Sequence, residues 1–232
     1  MYTIKDLNLT NAEAVAEALD QEIRNLKVQS TPKMRKIRQK YSKILGKSSP
    51  ENILEIALLL VQKYGYRGTP YELVRFHHTA FKSLGEKELE QLGQGVNSWW
   101  SVDSFARILA GPAWLRGQLK DDVIIRWACS EDLWWRRAAL VCTVALNLRS
   151  QGGCGDAERT LAICRILVDD NEDMVVKALS WALRALVAHE PYAVSEFLEE
   201  HDAVLAARVK REVRNKLETG LKTPKKKLKQ VG

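Results

Sequence analysis

The chain contains no apolar run near the roughly 20 residues that a membrane-spanning helix requires, and no stretch alternates apolar and polar residues with period two. The first absence argues against an integral membrane protein, the second against a half-buried sheet. The opening residues, MYTIKDLNLTNAEAVAEALD, lack the basic-then-apolar order of a secretory leader. A cytoplasmic location is expected, nucleoid-associated in a prokaryote. Cysteine is scarce and unpatterned, since Cys129, Cys142, Cys154 and Cys164 include no Cys-x-x-Cys pair. They sit mostly within apolar helical stretches, so reduced and buried thiols are expected rather than a disulfide framework. The four histidines do not combine with them at zinc-finger spacing, and His77–His78 reads as a polar pair inside a helix. Neither a metal nor a cofactor is expected.

What is present is helical periodicity along almost the whole chain. Proline is sparse but regularly placed: STPKMRKI, SSPENILEI, GTPYELV, AGPAWLR and HEPYAVSEF each put a proline where a first helical residue would stand. Reading between these marks gives about twelve helices, near 11–27, 32–46, 50–64, 70–84, 86–94, 99–110, 113–129, 131–149, 156–168, 171–188, 191–199 and 202–218. Short connections make successive helices antiparallel. Helix pairs every 35–45 residues point to an all-α, HEAT-like repeat solenoid of about six antiparallel pairs, with an irregular helical bundle as the alternative packing. A solenoid presents a long concave face to an extended ligand. One domain is expected over residues 1–218, followed by a basic, disordered tail over 219–232.

The net charge of +7 gains meaning once it is located. Between Ile23 and Pro50 stand nine Lys or Arg and no acid; between Arg208 and Gly232 stand ten, against Glu212 and Glu218. The remainder is net acidic, so two basic segments flank an acidic body, and a polyanionic partner is expected. In TPKMRKIRQKYSKILGK, Ile37, Tyr41, Ile44 and Leu45 share one helix face, while Lys36, Lys40, Lys43 and Lys47 form a parallel stripe. A single-sign stripe repels itself every turn unless a polyanion neutralises it. Nucleic acid fits best, with an acidic protein or a membrane surface as the other readings. Phosphate contacts of this kind give affinity and register but no sequence reading.

Seven tryptophans are many for 232 residues. Trp114, Trp127 and Trp134 stand where core residues are expected. In NSWWSVDSF, Trp99 and Asp103 are four apart and share a face if the helix begins at Ser98, whereas Trp100 is expected to pack. DLWWRRAAL brings Arg137 to a helix start, and KALSWALRAL sets Trp181 in mid-helix one turn from Arg184. From the residues alone, a packing reading competes evenly. Asp103 can be a first-turn acid favoured by the helix dipole, Trp99 and Trp181 core, and Arg137 a surface ion pair.

These motifs resemble those of the HEAT-repeat DNA alkylation repair glycosylases of the AlkD-like type. The Trp-x-x-x-Asp motif is matched within Ser98-Trp99-Trp100-Ser101-Val102-Asp103-Ser104. A helix start of the form apolar-Trp followed by Gln-Arg-Ala-Ala is matched by Leu133-Trp134-Trp135-Arg136-Arg137-Ala138-Ala139. Lys-Ala-x-x-Trp-x-Leu-Arg is matched from Lys177 to Arg184, and Thr-Pro-x-x-Arg from Thr31 to Arg35. The resemblance spans roughly residues 25–215, with departures at Trp100, where an acidic residue is common, and Arg136, where Gln is common.

The resemblance implies that Asp103 is the catalytic carboxylate, with Trp99 and Trp181 as aromatic walls against the lesion deoxyribose and Arg137 as a backbone phosphate contact. Further DNA contacts are expected from Thr31, Arg35, Lys36, Lys40, Lys43, Arg184, Lys210, Arg211 and Arg214. The implied partner is double-stranded DNA containing alkylated bases, bound by a monomer. N3-methyladenine and N7-methylguanine are cationic, so they leave as neutral bases and need no general acid. What remains is positive charge building on the sugar, which a carboxylate and electron-rich indole faces stabilise. No lysine in these motifs is poised for a Schiff base, so no strand-nicking step is expected, and no base-flipping pocket is required. A non-catalytic helical-repeat module for distorted DNA and a protein-interaction scaffold are the competing classes.

Overall fold

The computed structural model describes residues 7–224. Among them the chain is all-α and contains no strand, and no helix is long and apolar enough to cross a membrane. Two compact units meet in sequence between Lys120 and Asp121.

The first unit contains α1 (Ala12–Arg24), α2 (Thr31–Ile44), α3 (Pro50–Gln62), α4 (Gly68–Phe76), α5 (His78–Lys82), α6 (Glu86–Gly93), α7 (Trp99–Phe105) and α8 (Gly111–Leu115). Helix α2 packs on α4, and α4 on α7, making one row; α1 packs on α3, and α3 on α6, making a second. Local chemistry places the ends. The Asn11 side chain accepts the Ala14 N–H at 3.0 Å and opens α1, whose Val15, Ala16, Leu19 and Ile23 are fully buried at helical spacing. Ile37, Tyr41 and Leu45 of the basic segment are buried as the periodicity requires, and Ile44 is half-buried.

Two expected helices run differently. The helix expected over 70–84 breaks at His77, whose backbone is extended (φ −97°, ψ 104°) and whose Nδ1 accepts the Ala80 N–H at 3.2 Å to restart the chain as α5. Pro112 does not open a helix. The chain stays helical from Trp99 to Leu115 through a wider π turn at Ala106–Ala110, in which the Gly111 N–H reaches the Ala106 carbonyl. Proline lacks the N–H that would bond the carbonyl four residues back, and its ring crowds that carbonyl; an extra residue in the preceding turn accommodates both. The break falls instead at Gly117, with φ 73°, so the helix expected over 113–129 is divided into α8 and α9.

The second unit contains α9 (Asp121–Ala128), α10 (Leu133–Asn147), α11 (Ala157–Ile166), α12 (Asp173–Leu186), α13 (Pro191–Glu200) and α14 (Ala207–Thr219). Here α10, α12 and α14 pack in succession as one row, with α9 on α11 as a second. Ala138, Ala139, Ala178 and Ala182 are wholly buried, and their small side chains let α10 and α12 approach closely. Cys142 and Cys164 are buried and burial pushes their thiols up. Cys129 and Cys154 are exposed, contrary to expectation, because the first follows the end of α9 and the second lies in the loop before α11. Trp114 and Trp127 are core, whereas Trp134 is only half-buried in the first turn of α10. Of the tail expected over 219–232, residues 225–232 lie outside the described residues. Before them, Gly220 (φ 73°) ends α14 and the Lys222 ammonium reaches Glu212 at 3.4 Å.

The turn after α10 tolerates little change. The Gly153 N–H donates to Leu148 and the Gly155 N–H to Leu146, while the buried Asn147 side chain donates to Thr143 and Thr160 and accepts from Asp156. A Cβ at Gly153 would stand 2.4 Å from the Ala145 carbonyl oxygen and 2.5 Å from the Leu146 carbonyl, both backbone groups that cannot swing aside. Gly153→Ala is therefore expected to lower unfolding free energy by about 1–3 kcal/mol, read as a reduced urea midpoint; an unchanged midpoint would contradict this packing.

Candidate active site

In the first unit, α7 is held from its inner side. Ser98 is extended (φ −152°, ψ 154°) and its hydroxyl accepts the Ser101 N–H at 3.3 Å. The Ser101 hydroxyl accepts the Ser98 N–H at 3.2 Å in return, so two serines satisfy N–H groups that a helix start leaves without intrahelical partners. Val102 and Phe105 are fully buried, and Phe105 meets Tyr71 edge-on at 5.9 Å between ring centroids. Tyr71, itself fully buried, donates to the Leu92 carbonyl at 3.0 Å.

With that side anchored, the other face of α7 is presented outward. Trp99 is 56% exposed and Asp103, one turn later, is half-buried. Both lie on one short helix whose backbone is fixed by packing and capping, and their spacing sets a carboxylate beside an indole. Trp100 is 52% exposed, which corrects the expectation that it packs. It lines a cleft of about 400 Å³ together with Thr31, Arg35, Tyr66, Arg67 and Ser104. The cleft thus joins two DNA-contact candidates of α2 to the residue beside the Trp-x-x-x-Asp motif. Tyr66 and Arg67 stood in no sequence motif, and Ser104 closed the Trp-x-x-x-Asp stretch without a role; the only clue to Trp100 was its adjacency to Trp99.

The basic stripe of α2 is not uniform. Thr31, Arg35, Lys36 and Lys43 are exposed, but the Lys40 ammonium pairs with Glu22 of α1 at 2.7 Å. Arg38 turns inward to Glu72 at 2.9 Å and lies over the exposed Phe76 ring at 4.3 Å.

In the second unit, the sequence candidates lie on α10, α12 and α14, the helices of a single row. Arg137 is 5% exposed, and its guanidinium donates to the Met174 carbonyl in the first turn of α12. Trp181 is half-buried. Arg184 donates to the Ser180 hydroxyl at 3.2 Å and approaches Glu212 of α14 at 3.7 Å, so it is engaged within the helix layer. Lys210 and Arg214 both reach Asp202, the latter at 2.7 Å, while Arg211 is exposed. Arg136 has a structural role: it pairs with Asp170 at 2.7 Å and donates to the Ser130 and Glu131 carbonyls, closing the start of α10. Among the described residues no group of three or more His, Cys, Asp or Glu side chains is arranged to hold a metal ion.

Helices packed in rows within each unit, an exposed tryptophan one turn from a half-buried carboxylate on α7 and exposed basic residues on α2 define an all-helical repeat protein. Comparison with known families is more specific. The model of the DNA alkylation repair enzyme family matches residues 6–217, and the chain belongs to that family. Membership gives it a role in DNA repair. No individual curated protein matches the chain.

Glu212 is the buried acid that ties α12 to α14. Burial opposes its ionisation, but the hydrogen bond from Ser180 at 2.7 Å and the charges of Lys222 and Arg184 outweigh this and hold the carboxyl below its ordinary value. A lowered folded-state value means that the carboxylate stabilises the fold above its unfolded value, about pH 4.3. That stability is lost as pH falls from there through the folded value. Glu212→Gln should be less stable at neutral pH and should show a flatter loss of thermal stability between about pH 5 and 3. A variant with an unchanged acid profile would contradict the role of this carboxylate.

Proposed function

We propose that the protein is a monofunctional DNA glycosylase that removes cationic N3- and N7-alkylated purines by hydrolysing the N-glycosidic bond. The observation that carries this reading is the face of α7, where Trp99 and Asp103 stand one turn apart on a helix immobilised from behind. Family membership supports a substrate of alkylated DNA.

The chemistry follows from the lesion. N7-methylguanine carries a positive charge that weakens its bond to the sugar, and the base departs neutral when that bond breaks. The electron pair leaves with the base, and the sugar carbon becomes cationic. An ionised Asp103 supplies the opposing charge where it develops, in a setting less screened than bulk water. The exposed indole of Trp99 offers a π face to the same cation. Asp103 then orients the water that adds to the anomeric carbon. A carboxylate is a hydrogen-bond acceptor and takes the proton that the adding water releases, and no enzyme nucleophile is invoked. Selection would rest on charge and bond lability rather than on a pocket shaped to one base.

Contacts to DNA from the first unit are assigned to Thr31, Arg35, Lys36 and Lys43, which are exposed along α2. In the second unit Trp181 and Arg211 keep the DNA-facing roles that the resemblance implies. Lys40, Arg184, Lys210 and Arg214 have acidic partners, so each would exchange an ion pair for a phosphate and contribute less than an uncompensated cation. Arg137, buried against Met174, is assigned to positioning α12 more readily than to direct contact.

The reading is tested by base release from methylated duplex DNA under single-turnover conditions. Wild type should liberate N7-methylguanine and N3-methyladenine without nicking the strand. Asp103→Asn should lower the rate by at least about 100-fold, the scale seen when one preorganised electrostatic group is removed, with binding to the same duplex retained. Unchanged release by Asp103→Asn would overturn the assignment. Tight binding without release by wild type would favour a non-catalytic module for damaged DNA.

A further inference from the structure

A second cleft in the first unit lies at the far end of α4 from the Trp100 cleft. It measures about 600 Å³ and is lined by Arg75, Phe76, His78, Phe81, Lys82, Arg116 and Gln118, with no carboxylate in its wall. Its floor is Phe81, which is only 6% exposed. Two guanidinium groups lie on that one ring, Arg75 at 4.5 Å and Arg116 at 5.3 Å from its centroid.

This arrangement is electrostatically unfinished. An aromatic face attracts a cation by about 0.5–2 kcal/mol, but two like charges gathered on one ring also repel each other. Arg75 is half-buried; burial first, and then the neighbouring Arg116, disfavour its charged form. Among the described residues neither guanidinium has a carboxylate within ion-pair distance. Arg116 donates to the Pro112 carbonyl at 3.0 Å, which fixes its orientation without neutralising it. Arg116 is exposed, and the half-buried Arg75 differs from four arginines that turn inward to a carboxylate: Arg38 to Glu72, Arg136 to Asp170, Arg159 to Asp156 and Arg184 to Glu212. The cleft is also held in shape. The Gln118 carboxamide donates to the Phe81 and Leu84 carbonyls at 2.7 and 3.1 Å and pins the loop after α8 to the end of α5.

We infer that this cleft is a phosphate site, in which the Arg75 and Arg116 guanidiniums, stacked on Phe81, hold one phosphate group between them with Lys82 at the rim. Guanidinium forks match phosphate oxygens in pairs, and an anion converts the mutual repulsion of the two arginines into attraction for a shared partner. None of these residues lies in the motifs of the proposed glycosylase, so the site stands apart from Asp103 and its chemistry. The phosphate is either free in solution or part of a nucleic acid backbone.

The experiment uses the full chain and inorganic phosphate, with sodium chloride at matched ionic strength as the control. Millimolar phosphate should raise the melting temperature of wild type beyond the chloride control and shift the Nε–Hε NMR signals of Arg75 and Arg116. Arg116→Gln should bind phosphate at least tenfold more weakly. Arg116 is exposed, so Arg116→Gln keeps the fold, and its phosphate affinity is readable even if Arg75→Gln does not fold. A second arm measures binding of undamaged duplex DNA against salt. A log–log slope shallower by about one in Arg116→Gln, with competition by phosphate, assigns the site to a backbone phosphate. Equal slopes together with phosphate protection of wild type assign it to free phosphate. No protection of wild type over chloride, or equal phosphate binding by wild type and Arg116→Gln, would overturn the inference.

Discussion

A short helix that exposes tryptophan on one face has to be held from the other, and this requirement governs the packing around α7. Helix α7 is only two turns long, too short to be stable by itself. It persists because Val102 and Phe105 are sunk in the core, because Tyr71 closes over Phe105, and because Ser98 and Ser101 satisfy its first N–H groups reciprocally. The π turn at Ala106–Ala110 lets the helix continue into α8 despite Pro112, so the outward-facing stretch is backed by further buried turns at Leu109, Ala113 and Trp114. Two half-exposed tryptophans and a half-buried carboxylate are then tolerated in a position that hydrophobic burial alone would not select.

The charge distribution is subtler than a basic stripe on an acidic body. Several cations of the two basic segments are already neutralised locally: Lys40 by Glu22, Arg38 by Glu72, Lys210 and Arg214 by Asp202. Acidic residues of the body therefore do specific work in the fold, placing particular cations and leaving others, such as Arg35 and Lys36, exposed. Exposed pairs of this sort contribute little to stability, but they decide which charges a polyanion meets uncompensated. Arg75 and Arg116 are the inverse case: one half-buried and one exposed cation share the Phe81 ring, and among the described residues no acid pairs with either.

Much of this was legible in the residues. The all-α class followed from periodicity, and α1, α3, α6 and α13 lie within a few residues of their expected bounds because capping side chains, Gly93 or Pro191 mark their ends, as does α12 on its apolar spacing alone. Misreadings arose where one residue type has two local meanings. Pro112 looked like a helix start and is an interior residue behind a π turn, since an extra residue in the preceding turn leaves no mark in the sequence. His77 looked helical and is an N-cap. At the site, the spacing of Trp99 and Asp103 was readable; the exposure of Trp100 was not, because the walls of its cleft come from the starts of α2 and α4, far from it in sequence. Ion pairs such as Lys40–Glu22 and Arg184–Glu212 join residues far apart in sequence and depend on packing that no local pattern encodes.

The central claim is that Asp103 opposes a positive charge developing on the sugar, and transition-state complementarity makes that claim measurable as affinity. The direct measurement compares binding of two otherwise identical duplexes, one with a cationic pyrrolidine at the abasic position and one with neutral tetrahydrofuran. Wild type should bind the cationic duplex at least tenfold more tightly, and Asp103→Asn should bind the two alike. Equal affinity of wild type for both, or a cationic preference that survives in Asp103→Asn, would contradict the account.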